Sequence, residues 1–209
     1  MEIIYVADPM CSWCWGFAPV LDALREKYQE QFDFRMVLGG LRPGPAAVRL
    51  DDAAKADIEH HWRSVHEMTQ QPFDFTFFER DGFVYDTEPA CRAVVAMREL
   101  SPAHEYPFFK RLQQAFYAQN VDITRMEQLV SLAKQFDLEE SAFSDRLASD
   151  AILEATRLDF LEARQLGVRG FPTLLLRIEK TGYFLSHGYQ TFNQIDLRMQ
   201  EVLTQEKIS

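Results

Sequence analysis

The sequence predicts an α/β chain in which one small four-stranded mixed sheet is assembled from both chain ends around a large all-helical insertion. Short strand-like apolar runs open the chain at Ile3 to Ala7 and Phe34 to Leu38, and return only at Thr173 to Ile178 and Tyr183 to His187. The long stretch between them carries apolar residues at helical spacing instead. The first two runs are joined by a helical pattern, so the chain opens strand–helix–strand. These observations divide it into a sheet-bearing domain of residues 1–41 and 168–209, and an insertion of residues 42–167.

Taken in order, Ile3 to Ala7 reads as a fully buried strand. Cys14, Phe17/Ala18, Leu21, Leu24 and Tyr28 follow at helix spacing. Pro19 falls inside that helix, where it removes one backbone donor and crowds the Trp15 carbonyl, so a kink is expected. A second strand at Phe34 to Leu38 implies a right-handed crossover and a parallel pair. Gly39-Gly40-Leu41-Arg42-Pro43-Gly44-Pro45 then marks a boundary.

From Pro45 to Gly167 everything reads as helix. An amphipathic stretch carries Ile58, Trp62, Val65 and Met68, and Phe73, Phe75, Phe77 and Phe78 form an aromatic cluster suited to packing under the insertion. Thr87 is expected to cap the helix of Cys91, with Pro89 in its first turn. Ser101-Pro102 opens a helix with Phe109, Leu112 and Phe116 on one face. Thr124-x-x-Glu127 has the capping-box pattern. A last helix, or a pair broken near Ser149-Asp150, is closed by Gly167. Glu179-Lys180-Thr181-Gly182 reads as a hairpin turn with its glycine. Thr191-x-x-Gln194 caps a final helix with Phe192, Ile195, Met199 and Val202 inward.

The composition is that of a globular chain: 209 residues, 47% apolar and 13% aromatic. A net charge of −10 argues against nucleic acid, whose phosphates need a basic footprint. The longest apolar runs fall far short of a membrane span. The chain enters its first strand at once, leaving no room for a cleavable signal, so the expected location is the cytoplasm. Three cysteines are too few for a disulfide scaffold, and a reducing compartment favours a catalytic pair.

The chemistry concentrates in Asp8-Pro9-Met10-Cys11-Ser12-Trp13-Cys14-Trp15-Gly16. Cys11 is expected at the first turn of a helix, where free backbone N–H groups and the positive dipole end favour an anion. The thiolate is the reactive form, so Cys11 reads as the attacking sulfur. Cys14, one turn deeper, reads as the resolving one. A structural zinc site needs four ligands, and Cys91 is the only other cysteine, with no paired histidines to complete the set. Inert buried thiols are the remaining plain reading. Downstream, Gly170-Phe171-Pro172-Thr173 places a proline at a strand start, where it has no ladder donor. A cis Phe171–Pro172 bond would account for it, as would an ordinary trans proline.

Cys11-Ser12-Trp13-Cys14 after Asp8, the Gly-Val-Arg-Gly-Phe-Pro-Thr run at 167–173 and the helical insertion together resemble the DsbA-like thioredoxin family, nearest its cytoplasmic FrnE-like branch. The resemblance implies a thioredoxin fold and a dithiol–disulfide oxidoreductase, with protein-disulfide reductase or isomerase activity. It assigns Cys11 as nucleophile, Cys14 as resolver and Pro172 as a cis-proline facing them. Substrate peptides would lie between Phe171-Pro172 and Cys11, paired like an added strand, with Thr173 among the contacts. Trp13 reads from its place between the cysteines as a shield for the disulfide or a substrate contact, a merely tolerated aromatic being the plain alternative. Ser12 stands where those relatives usually carry proline, and Gly16 follows Trp15 directly, both departures from the family pattern.

Asp8 is expected to cap or brace the active-site loop, with direct proton transfer as the lesser alternative. Cys91 reads as a small buried hydrophobe, a second resolving role being the minority reading. His60, His61, His66, His104 and His187 show no ligand spacing and read as surface or strand-end residues. The expected partners are protein or small-molecule thiols and disulfides, glutathione among them, and no metal or organic cofactor is needed. Two rival functions remain: a glutathione-dependent transferase or isomerase of the kappa-type group, and a non-enzymatic redox-sensing module.

Overall fold

The N-terminal apolar run folds as β1 (Glu2–Ala7), buried at every residue but the first. The computed structural model describes residues 1–208. α1 (Ser12–Tyr28) returns the chain to β2 (Asp33–Leu38), which pairs parallel with β1. The insertion contributes β3 (Val48–Arg49), α2 (Asp52–Thr69), β4 (Val84–Tyr85), α3 (Glu88–Leu100), α4 (Glu105–Gln119), α5 (Met126–Ala133), α6 (Glu140–Leu147) and α7 (Asp150–Gln165). The chain then closes with β5 (Thr173–Ile178), β6 (Thr181–His187) and α8 (Phe192–Ile208). Sheet order is β2-β1-β5-β6, with β5 antiparallel to both β1 and β6. This is the mixed four-stranded sheet with a helical insertion that the two chain ends predict.

Alternation along β1 explains why both its faces are apolar. Ile3, Tyr5 and Ala7 face a large core shared with α1, α8 and the insertion. Ile4 and Val6 face Val37, Leu175 and Ala163 of α7. A part-buried ion bridge joins α3 to α7 within the insertion: Arg98 donates to both carboxylate oxygens of Asp159, at 2.9 and 2.8 Å. Asp159 Oδ2 also accepts from the backbone N–H of Leu38 at 2.9 Å, which fixes the end of β2.

Several local expectations change. The insertion is not wholly helical, since β3 and β4 form a short antiparallel ribbon. Thr87 occupies the N-cap position of α3, but its hydroxyl makes no cap bond and instead accepts from Arg42 N. Thr124 does not cap α5: the helix starts later, and the Thr124 hydroxyl turns back to Asp122. Met68 is 62% exposed, outside the buried stripe of Ile58, Trp62 and Val65. The β5–β6 turn is shorter than expected, because Thr181 and Gly182 already pair in the strand. Glu179 takes the positive φ that the glycine was expected to supply. The Thr191/Gln194 box forms reciprocally, and Ser149 caps α7 after a break from α6.

α1 runs unbroken through Pro19. Proline at that position leaves the Trp15 carbonyl without its intrahelical donor. Gln71, just beyond α2, supplies one: its Nε2 donates to Trp15 O at 3.0 Å. The Trp15 indole reciprocates by donating to Pro72 O at 3.0 Å. Gly16 makes the approach possible, since a Cβ there would lie 2.7 Å from a Val65 methyl. The insertion is thereby fastened to the cysteine-bearing helix at the position its proline vacates. Gln71→Ala should cost about 1 kcal/mol, the usual net worth of such a bond. In a Pro19→Ala background, where a backbone N–H returns, the same change should cost close to nothing. Urea midpoints of the four proteins in this cycle measure the coupling, and equal costs in both backgrounds would refute this account.

Candidate active site

Cys11 is the N-cap residue of α1, held by a turn in which its N–H donates to Asp8 O at 3.1 Å. The peptide between them is fixed twice more. Met10 N donates to Asp8 Oδ1 at 2.8 Å, and the Tyr85 hydroxyl donates to Met10 O at 2.7 Å. Cys11 keeps 6% of its surface exposed, while Cys14, one turn on, has none. Burial pushes the Cys14 thiol well up, and a hydrogen bond with Cys11 adds to the shift. The two sulfurs are therefore neighbours of unequal access.

The Phe171–Pro172 bond is cis, and Phe171 O accepts from Cys11 Sγ at 3.6 Å. Pro172 O accepts from Gly188 N at 2.8 Å, which ties the proline to the end of β6. Thr173 is fully buried, its hydroxyl donating to Gly170 O at 2.8 Å. Gly39 decides where Phe171 sits, because a Cβ there would lie 2.0 Å from the phenyl ring. Only glycine admits the ring over the end of β2, and through it the carbonyl opposite Cys11.

Asp8 is fully buried. Besides Met10 N, its carboxyl accepts from Leu41 N at 2.7 Å and from Cys91 Sγ at 3.4 Å. The Thr87 hydroxyl also reaches it. Burial raises the Asp8 pKa above its ordinary 3.8, and these donors oppose the rise. The Cys91 thiol is pushed well up, by burial first and by Asp8 second. The Asp8 carboxyl thus ties the loop before Cys11 to the start of the insertion and to α3.

Cys11, Ser12, Trp13 and Phe171 line a cavity of about 200 Å³. Cys14, Asp8, Pro172 and Thr173 are not part of its lining. Larger clefts lie between β6 and α8 and between α1 and α4, but neither is lined by a cysteine. The Trp13 ring leans on Tyr189 at 5.8 Å between centroids. The opposite wall comes from Ile58, His61 and Trp62 of α2 and from Arg42. Sequence reasoning did not place these four at the site. His61 is the exposed helix residue it was expected to be and lines the cavity from there, while the Gly39-to-Pro45 run, expected as a boundary, also supplies the Phe171 seat and Arg42. Among the described residues no group of three or more His, Cys, Asp or Glu is placed to hold a metal. No described helix is long and apolar enough to cross a membrane.

The family model of the DSBA-like thioredoxin domain matches residues 2–200. Among solved structures the chain is similar to a proposed protein disulfide isomerase from Nitrosomonas europaea, with 37% identity, a TM-score of 0.90 and 98% of each chain covered. It is also similar to the cytosolic disulfide reductase DsbM from Pseudomonas aeruginosa, with 25% identity, a TM-score of 0.80 and 100% of each chain covered. Among curated proteins it is 24% identical over 200 residues to the ClpXP adapter protein SpxH of Halalkalibacterium halodurans. That match covers 90% of this chain and 65% of the relative, so the chain spans less than two thirds of that protein's length.

The buried carboxyl has a testable signature. Asp8→Asn sets an amide N–H against backbone donors, which should destabilise the fold by about 1–3 kcal/mol. Because the Asp8 pKa is raised on folding, the folded state binds the proton more tightly than the unfolded one. The Asp8 contribution to stability therefore falls as pH rises from 3.8 through the folded-state pKa. The gap in urea midpoint between wild type and Asp8→Asn should shrink over that window, and a gap that widens contradicts the assignment.

Proposed function

This chain belongs to the DSBA-like thioredoxin domain family, and on that premise we propose that it is a cytoplasmic thiol–disulfide oxidoreductase of the protein-disulfide reductase or isomerase type, working through Cys11 and Cys14. One observation carries the reading: Cys11 Sγ stands 3.6 Å from Phe171 O, beside the cis Phe171–Pro172 bond, with Cys14 buried one turn behind. The cytosolic reductase DsbM, similar over its full length, supports both the reaction type and the compartment.

The reaction begins when the Cys11 thiolate attacks a substrate disulfide. A bond forms between Cys11 Sγ and one substrate sulfur, the substrate S–S bond breaks, and the leaving thiolate takes up a proton. Once Cys11 has given up its proton, Phe171 O loses its thiol donor and is open to a substrate backbone N–H. An extended peptide then pairs along Phe171-Pro172. Trp13 flanks the same cavity, while Thr173 acts indirectly by holding Gly170 O.

Cys14 stays protonated until the mixed disulfide exists, because burial disfavours its thiolate. It then loses its proton and attacks Cys11 Sγ. The Cys11–Cys14 disulfide forms and the second substrate thiol leaves, so two electrons have passed to the substrate. Two equivalents of a small thiol such as glutathione would restore the dithiol. Isomerisation is the same first step with a substrate thiolate resolving in place of Cys14. No metal or organic cofactor takes part in this sequence.

The similarity to SpxH, named an adapter, favours a second reading: a binding module whose cysteine pair acts as a switch. Turnover separates the two. Equilibration of the pair in a glutathione redox buffer, followed by insulin reduction, should show multiple turnovers for wild type. Cys11→Ser should lower the rate by at least about a hundredfold, the nucleophile being lost. Cys14→Ser should accumulate a mixed disulfide at Cys11, detected by mass. Oxidation that stops at one equivalent would favour the switch, and glutathione conjugation that survives Cys14→Ser would favour the kappa-type alternative.

A further inference from the structure

The cavity beside Cys11 has a charge of its own. In a chain of net charge −10, no carboxylate lines it, and its basic side chains are Arg42 and His61. Most other lysines and arginines are spent in ion pairs, for example Arg35 with Glu2 and Arg98 with Asp159. Arg42 has no ion pair among the described residues. Its guanidinium lies over the Tyr85 ring at 5.0 Å from the centroid, on the aromatic that also anchors Met10 O.

The backbone that carries Arg42 is fixed on both sides. Arg42 N donates to Thr87 Oγ1, and Thr87 N donates to Arg42 O, each at 3.1 Å. One residue earlier, Leu41 N is held by Asp8. A cation is thus presented from a rigid loop, hinged on the same carboxylate that braces the sulfur. Trp62 packs the same wall but is itself fully buried, so its ring supports the recess without presenting a donor to it. A planar fork of donors on an aromatic face, with the exposed His61 imidazole in the same lining, suits a carboxylate.

We propose that this cavity reads a carboxylate carried close to the sulfur under attack, with Arg42 as the specificity-determining residue. The substrates are thereby anionic thiols and disulfides: small carboxylate-bearing thiols, or cysteines flanked by acidic residues in a peptide. The inference rests on the thiol–disulfide reading above.

The test is the rate at which the chemically reduced protein is oxidised, in a single turnover, by dithiodipropionate, hydroxyethyl disulfide and cystamine. These carry negative, no and positive charge. Each rate is divided by that of dithiothreitol with the same reagent, which removes differences between leaving thiols. Wild type should prefer the anionic over the cationic disulfide by about tenfold, and added salt should compress the ratio. Arg42→Gln should lower that ratio at least about threefold, whereas Arg42→Lys keeps most of it. Arg157→Gln, which removes the same charge from the exposed face of α7, should leave it unchanged. Peptide mixed disulfides with Glu or Lys beside the half-cystine identify the source. A preference for Glu assigns acidic peptide segments, and a preference confined to the small reagents assigns small thiols. Equal wild-type rates, or a ratio untouched by Arg42→Gln, overturn the proposal. Oxidation by none of the three reagents would overturn the thiol–disulfide reading itself.

Discussion

A buried carboxyl with donors from three parts of the chain holds this structure in register. Asp8 accepts from Met10 N in the active-site loop, from Leu41 N at the start of the insertion and from Cys91 on α3. Burying a carboxylate is costly unless its lone pairs are filled. Here several donors offset the cost without cancelling it, which is why the Asp8 pKa stays raised. A carboxylate offers only acceptors, so N–H, O–H and S–H groups can converge on it without conflict. The consequence is mechanical. The loop bearing Cys11 and the loop bearing Arg42 cannot move independently, because one side chain holds both.

The opposite side of the site is held by shape. The bare Cα of Gly39 receives the Phe171 ring, and the Phe171 carbonyl then faces Cys11. Gly39 follows Leu38, whose N–H is gripped by Asp159, itself gripped by Arg98. A chain of contacts therefore runs from α3 through the end of β2 to the cis-proline loop. The insertion builds part of the site: Gln71, just after α2, donates to the helix of the cysteines, and Ile58, His61 and Trp62 of α2 wall the cavity. The hydrophobic core runs from β1 into the insertion without a break.

The sheet was legible because its signals are short-range. Strand periodicity, the Cys-x-x-Cys helix start and the Pro172 strand start each occupy fewer than ten residues, and each carries its own chemistry. The caps were harder. Thr87 and Thr124 sit in plausible cap positions, but the Thr87 hydroxyl is engaged by a tertiary partner, Arg42 N, and the Thr124 hydroxyl by its near neighbour Asp122. Local pattern cannot anticipate a donor forty-five residues away. The cavity wall was illegible for the same reason. Arg42 stands in a run that reads as punctuation, and the inward face of α2 looks like ordinary core spacing. Pro19 is the instructive intermediate case. Its orphaned carbonyl was readable, whereas the Gln71 amide that fills it was not.

The cavity also resolves an electrostatic tension. A chain of net charge −10 repels an anionic partner at long range, which by itself opposes a preference for carboxylates. Charges on the far surface act through a screening length of about 8 Å at physiological salt, however, and lose most of their influence at the site. What a bound substrate experiences is the nearest fixed charge, in a recess with low-dielectric aromatic walls where interactions are stronger than in water. Arg42 supplies that charge, with no carboxylate in the recess to neutralise it. Selectivity then arises after encounter, from the unequal stability of mixed disulfides held beside a guanidinium. Tyr85 links the two halves of that event, because its ring carries Arg42 and its hydroxyl fixes the peptide leading into Cys11.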